Sequence, residues 1–180
     1  NDVFVGTEAG DVIDGGDGDD RLDGGDGDDT LDGGAGNDTL IGGNGTDTAS
    51  YASATAAVTV NLELTTAQNT FGAGIDTLNT IENLTGSNFN DILTGSSSAN
   101  EINGGNGDDV INGGKGHDTL DGGAGNDTLN GDDGTDIASY ASATAGVVVS
   151  LELTAAQNTV GAGTDTLIAI ASLKGSDFDD

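Results

Sequence analysis

The sequence predicts an all-β fold, a flattened parallel β-solenoid or β-roll made of stacked short coils. Three observations predict it. A nine-residue motif recurs at fixed spacing and sets Asp20, Asp29 and Asp38 against Leu22, Leu31 and Leu40. Glycine supplies 33 of the 180 residues, while Trp, Met, Cys and Pro are absent. The 35-residue segments 51–85 and 140–174 match at 24 positions, so the whole chain repeats with a period of 89 residues. A motif that recurs at fixed spacing describes an architecture, and the chemistry is whatever each copy can hold.

Residues 1–5 read as the tail of an earlier copy, contributing Asp2 and Phe4. A first array then runs from Gly6 as GTEAGDVID, GGDGDDRLD, GGDGDDTLD, GGAGNDTLI and GGNGTDTAS. In each copy the first six residues suit a tight turn, because glycine tolerates positive φ and lets another backbone approach closely. The last three form a very short strand with one inward apolar side chain, too short to stand alone. Two nonapeptides per coil would stack Leu22 on Leu40 and Leu31 on Ala49, about 4.8 Å apart. The first linker, 51–85, contains VTVNLEL at 58–64, whose alternation predicts a longer half-buried strand. It then returns to the repeat with GAGIDTLN and Asp76, so it is expected to form wider coils of the same solenoid.

The second array starts at Gly86 with GSNFNDILT, carrying Asp91, then GSSSANEIN, GGNGDDVIN, GGKGHDTLD, GGAGNDTLN and GDDGTDIAS. The second linker repeats the first, with VVVSLEL at 147–153 and Asp165. The expected organisation is one unit over 1–85, a second over 86–174, and the start of a third over 175–180. Residue 1 opens in mid-repeat, so the sequence reads as a piece of a longer protein.

Thirty-two acidic against three basic residues give a net charge of −29, which opposes nucleic-acid binding, since phosphate contacts need a positive surface. No apolar run reaches the length of a membrane span. Only six residues are Phe or Tyr, so the core is thin and needs a staple; without cysteine that staple is metal or assembly. High charge with few aromatics predicts a disordered chain until the staple is supplied.

Stacking places Asp20 near Asp38 and Asp29 near Asp47, and bare carboxylates so placed repel. Glycine-lined turns can aim backbone carbonyls inward, and carboxylate plus carbonyl oxygens are the ligands of a hard cation. Zinc would want Cys or His, and only His117 is present. Calcium, which takes six to eight oxygens in flexible geometry, fits best. No window satisfies the EF-hand spacing, no glycine-rich stretch sits between a strand and a helix, and a lone His117 makes no hydrolase triad.

On these motifs the chain resembles the RTX (repeats-in-toxin) calcium-binding nonapeptide family of parallel β-rolls, whose pattern G-G-x-G-x-D-x-U-x is a known calcium-binding repeat. The resemblance covers both arrays. It implies ions held between loops one coil apart, each loop giving its aspartate and two carbonyls. Carried over, Gly16, Gly18 and Asp20 would act with Gly33, Ala35 and Asp38, and Gly25, Gly27 and Asp29 with Gly42, Asn44 and Asp47. In the second array the sets are Gly105, Gly107 and Asp109 with Gly122, Ala124 and Asp127, and Gly114, Gly116 and Asp118 with Gly131, Asp133 and Asp136. Asp2 and Asp11 extend the first array, although GTEAG at 6–10 breaks the glycine pattern. Asn100 stands where an aspartate is expected and GSSSAN lacks the later glycines, so that loop is expected to bind weakly or not at all. The further acids Asp17, Asp19, Asp26, Asp28 and Asp108 are expected to be solvated. The strands expected at 77–79 and 83–85 would set Asp76 one coil before Asp91, and Asp165 before Asp180, adding ions at the linker exits.

The expected total is about eight to ten calcium ions, and the expected function is a calcium-stiffened segment of a secreted or cell-surface bacterial protein, of adhesin, surface-layer or filament type. The resemblance implies unfolded export by a type I system and folding outside. The segment is expected not to be an enzyme. Its expected partners are calcium and further copies of the repeat end to end, in one chain or a filament, without insertion into a membrane. The alternatives are the C-terminal module of a secreted enzyme or toxin, and a polysaccharide-binding module.

Overall fold

Each nonapeptide closes on three residues of which only the middle one faces inward, and those residues, two per coil, build the core. The computed structural model describes residues 1–180 and consists of strands and turns without a helix. On one face, β2 (Val12–Asp14), β4 (Thr30–Asp32), β6 (Thr48–Ser50), β10 (Asn83–Thr85), β12 (Glu101–Asn103), β15 (Thr119–Asp121), β18 (Ile137–Ser139) and β21 (Ser172–Lys174) form one eight-stranded parallel sheet. Leu31 registers on Ala49, Ala49 on Leu84, Leu84 on Ile102, and Ile102 on Leu120. The sheet therefore runs unbroken from the first array into the second.

The opposite face is two sheets, and β14 (Lys115–Gly116) pairs with β17 (Asp133–Gly134) between stacked turns. In the first, β1 (Val3–Val5), β3 (Arg21–Asp26), β5 (Thr39–Asn44) and β9 (Ile75–Asn79) stack in parallel, with Phe4, Leu22, Leu40 and Leu78 in line. In the second, β7 (Thr59–Asn61), β11 (Ile92–Thr94), β13 (Val110–Asn112), β16 (Thr128–Asn130) and β20 (Thr164–Ile168) align Val60, Leu93, Ile111, Leu129 and Leu167. The stacked leucines and isoleucines of the arrays are fully buried, and each contributes about 1.5–3 kcal/mol of transfer free energy.

The linkers stay in the roll, since β7, β9 and β10 all join its sheets, but the long strand expected at 58–64 does not form. VTVNLEL is a strand only over β7, because Leu62–Leu64 turn away: Asn61 Oδ1 accepts from Glu63 N, and Asn61 O accepts from Leu64 N. Nor does β7 stack on the coil before it. It reaches ahead to pair with β11 of the second array, and β9, later in sequence, takes the place beside β5. The side chain of Gln68 closes the return, accepting from Asn61 N at 2.8 Å and donating to Asn61 O at 3.0 Å, as a neighbouring strand would. Next to it β8 (Gln68–Asn69) pairs antiparallel with β9. Gln157 makes the same clamp on Ser150 in the second linker, where β19 (Gln157–Asn158) pairs with β20. Residues 148–150, equivalent to β7, have no partner strand in this chain and are irregular.

Candidate metal centres

The six-residue turns line the two edges of the roll, and most are shaped by glycines at their second and fourth positions. Gly16 and Gly18 have φ of 81° and 132°, a region other residues rarely adopt. The turns stack by backbone bonds: Gly16 O accepts from Ala35 N at 2.9 Å, and Ala35 O from Gly18 N at 2.8 Å. Each of these carbonyls keeps a second lone pair.

The aspartates form ladders along both edges. Asp38 Oδ1 accepts from Asp20 N at 2.8 Å, and Asp76 Oδ1 from Asp38 N at 3.0 Å. On the other edge Asp29 Oδ1 accepts from Asp11 N, and Asp47 Oδ1 from Asp29 N. The second array repeats this through Asp91, Asp109, Asp127 and Asp165, and through Asn100, Asp118 and Asp136. Asp2 sits at the head of the first ladder, exposed, its amide donating to Asp20 Oδ1.

One oxygen of each ladder aspartate is thereby satisfied, and in eight of them the other is not. Oδ2 of Asp20, Asp29, Asp38, Asp47, Asp109, Asp118, Asp127 and Asp136 is buried with no hydrogen-bond partner. A buried, unpaired carboxylate oxygen is costly unless a cation faces it. These oxygens open onto small crevices floored by a carbonyl of the next turn. A Cβ placed on Gly15 would lie 3.0 Å from Asp20 Oδ2 and 2.7 Å from Gly33 O; on Gly113 it would lie 2.5 Å from Asp118 Oδ2 and 3.0 Å from Gly131 O. The first glycine of the turn thus keeps open a space lined by hard oxygens. Nowhere do three or more acidic, His or Cys side chains converge; what the crevices offer is carboxylate oxygens together with backbone carbonyls. That set suits calcium.

Electrostatics fits the same reading. Burial pushes the Asp38 carboxyl up to about 6, and those of Asp109 and Asp127 up to about 7, with adjacent carboxylates adding to the effect. Asp47, Asp76, Asp118 and Asp165 are raised too, first by burial.

The sets of turns expected for Asp20 with Asp38, Asp29 with Asp47, Asp109 with Asp127 and Asp118 with Asp136 are brought together one coil apart. The pairing of Asp76 with Asp91 and of Asp165 with Asp180 is not formed. Strands do form at 75–79 and 83–85, but the forward reach of the linker puts Val58 between, and Val58 N donates to Asp91 Oδ1 at 2.7 Å. Val147 N does the same to Asp180. Asp76 and Asp165 instead complete the crevices of Asp38 and Asp127, and each Oδ2 also accepts from a linker hydroxyl, Thr70 or Thr159.

Where Ser or Thr replaces the second glycine, the turn satisfies its own acid. Thr7 donates twice to Asp11, and Ser87 and Ser176 do so to Asp91 and Asp180. Asn100 Oδ1 is held likewise by Ser96. Sequence reasoning missed these donors, and it missed Glu82, whose Oε2 accepts from Asp47 N at 2.9 Å. The signal was there, since Glu82 stands two residues before Leu84 as Asp29 stands before Leu31. Asp17, Asp19, Asp26, Asp28 and Asp108 are exposed, several accepting bonds from the next coil. His117 is exposed and its Nδ1 accepts from Thr135 N.

A family model described as the RTX calcium-binding nonapeptide repeat matches four times, at residues 1–31, 15–49, 85–120 and 104–138. No curated protein matches the chain.

Proposed function

Because the chain belongs to the family of RTX calcium-binding nonapeptide repeats, and is a calcium-binding repeat region, we propose that it serves as a calcium-stiffened structural segment of a secreted or cell-surface bacterial protein, of adhesin, surface-layer or filament type. The observation that carries this reading is the continuity of the roll through its linker. The eight-stranded sheet crosses from one array to the next without a break, and β7 locks forward onto β11. A jointed set of modules would not need either feature. An extended member that must transmit force needs both.

Scarce calcium inside the cell leaves the carboxylates unpaired and the chain unfolded for type I export, and millimolar calcium outside folds it. The segment itself is non-catalytic. Its partners are calcium and further units stacked end to end, where a linker strand of one unit pairs with the next as β7 pairs with β11.

Small-angle scattering tests the reading. Each 89-residue unit adds four strands to the long sheet, a rise of about 19 Å at strand spacing. Fusing a second copy of the chain head to tail should therefore lengthen the calcium-saturated particle by about 38 Å. Two copies that scatter as independently oriented bodies would overturn the proposal.

A further inference from the structure

Six of the eight unpartnered Oδ2 atoms face a second aspartate in the next turn. The other two belong to Asp47 and Asp136, the last aspartates of their ladders, and what lies beyond them differs. Above Asp47 the chain makes a short corner at 79–82, with Thr80 at a φ of 50°. Thr80 O enters the crevice beside Gly42 that Asp47 Oδ2 also lines, as Gly33 O enters the crevice beside Gly15. Glu82 then supplies the carboxylate: its Oε2 accepts from Asp47 N, the bond that an aspartate Oδ1 makes at every regular step. The corner thus reproduces, with four residues, the carbonyl and the acid of a complete turn.

Above Asp136 the corner is the same in backbone. Ala169 O lies 2.6 Å, and Asp136 Oδ2 2.5 Å, from a Cβ built on Gly131. Both corners also donate two amides to the aspartate carbonyl below, Glu82 N and Asn83 N to Asp47 O, Ala171 N and Ser172 N to Asp136 O. The acid, however, is Ala171. The two crevices are matched in carbonyl and orphaned oxygen, and differ in one carboxylate.

We infer that Asp47, Thr80 O and Glu82 form a further divalent-cation site, taking calcium, at the exit of the first linker, and that the second linker lacks its counterpart. Asp47 is fully buried, and its Oδ2 has no partner other than what enters this crevice. Asn100 closes the far side. Its Nδ2 donates to Glu82 O, which an aspartate could not do, so the ladder of acids stops at Glu82 and restarts at Asp118. The replacement of aspartate at position 100 is the seal of this site.

The inference rests on calcium binding by the regular turns, and native mass spectrometry of the full chain in calcium separates the two. Glu82→Gln keeps an oxygen for Asp47 N and removes the charge; it should bind one ion fewer than the parent. Ala171→Glu adds the missing acid and should bind one ion more. Circular dichroism in saturating calcium should show both variants folded as the parent. A folded Glu82→Gln chain that carries the parent's number of ions overturns the site while leaving the regular turns standing. A parent chain that takes up no calcium would sink both readings.

Discussion

Replacing Asp38 by Asn should have effects of opposite sign with and without calcium. Asp38 is 2 % exposed, its Oδ1 accepts from Asp20 N, and its Oδ2 has no partner. Asn keeps the accepting oxygen and the shape, and removes a charge from the interior. Without metal that charge opposes folding: burial raises the carboxyl from 3.8 to about 6. A gap of about two pH units sets an upper bound of about 3 kcal/mol at neutral pH, and water reaching the crevice reduces this to about 1–2 kcal/mol. With metal the loss is larger. Asp38 borders two crevices, toward Asp20 and toward Asp76, and an ion at about tenfold excess over its Kd contributes about 1.4 kcal/mol. Losing two such ions costs about 3 kcal/mol; set against the gain of about 1–2 kcal/mol from removing the charge, the net loss is about 1–2 kcal/mol, or about 2–8 °C in melting temperature for a chain of this size. Far-UV circular dichroism reads both arms, as a thermal melt in saturating calcium and as the folded fraction in chelator. Asp28→Asn, on the exposed side of a turn, is the control and should move neither. A calcium-saturated melting temperature unchanged in Asp38→Asn, or a loss of folding in chelator, would refute the reasoning.

Acid should partly replace calcium. The folded-state pKa values of Asp38, Asp109 and Asp127 lie above the unfolded value near 3.8, so between about pH 4 and pH 7 the folded apo chain holds more protons, and its stability rises as pH falls through that window. Circular dichroism in chelator should show more β structure at pH 5 than at pH 8, while the calcium concentration needed for folding rises as the pH is lowered. Gly113→Ala should place its methyl in the crevice between Asp118 Oδ2 and Gly131 O; native mass spectrometry should count one ion fewer, and a parental count would show the crevice is not a site. Gln68→Ala removes both bonds of the linker clamp, about 1–3 kcal/mol of local stability; hydrogen exchange should quicken at residues 58–62, and unchanged exchange there would mean that β7 holds without the clamp.

How much was legible in the sequence follows from what each contact depends on. The roll was legible because its rule is local: Asp-x-Leu every nine residues fixes both the inward side chain and the turn, and Leu22 on Leu40 follows from period alone. The pairing of array aspartates was legible for the same reason. The linker was not. VTVNLEL alternates as a strand should, but the alternation says nothing of which neighbour the strand takes, and β7 chose the later one. That choice depends on Gln68 folding back seven residues to imitate a strand edge, a side-chain event without a periodic signature. Asp76 consequently joined Asp38 rather than Asp91. Glu82 escaped because it lies outside any nonapeptide, although its place two residues before Leu84 is that of an array acid; its greater length is what lets it reach Asp47 N from the short corner.

The second residue of the turn decides whether a coil needs metal at all. Where it is glycine, as at Gly16 or Gly105, the aspartate four residues on keeps an unpartnered Oδ2. Where it is Ser87, the main-chain amide donates to Asp91 Oδ2 at 2.5 Å and the hydroxyl to Oδ1 at 2.8 Å, so the acid is satisfied from within its own turn. The turns so equipped stand at the start of each array, at Thr7, Ser87, Ser96 and Ser176, and the eight orphaned oxygens follow behind them. Each array accordingly opens with a coil that can close without calcium and continues with coils that cannot. Ser87→Gly removes the hydroxyl bond to Oδ1 and lets residue 87 take the positive φ of Gly105, which turns the main-chain amide away from Oδ2 and converts the coil at 86–91 to the metal-requiring kind. In chelator held at pH 5, where protonation favours the apo roll, hydrogen exchange at Ile92–Thr94 should be faster in Ser87→Gly than in the parent; in saturating calcium the two should agree, because the ion replaces the lost donor. Equal exchange in chelator would show that the serine is not what satisfies Asp91, and the division between the two kinds of coil would fall with it.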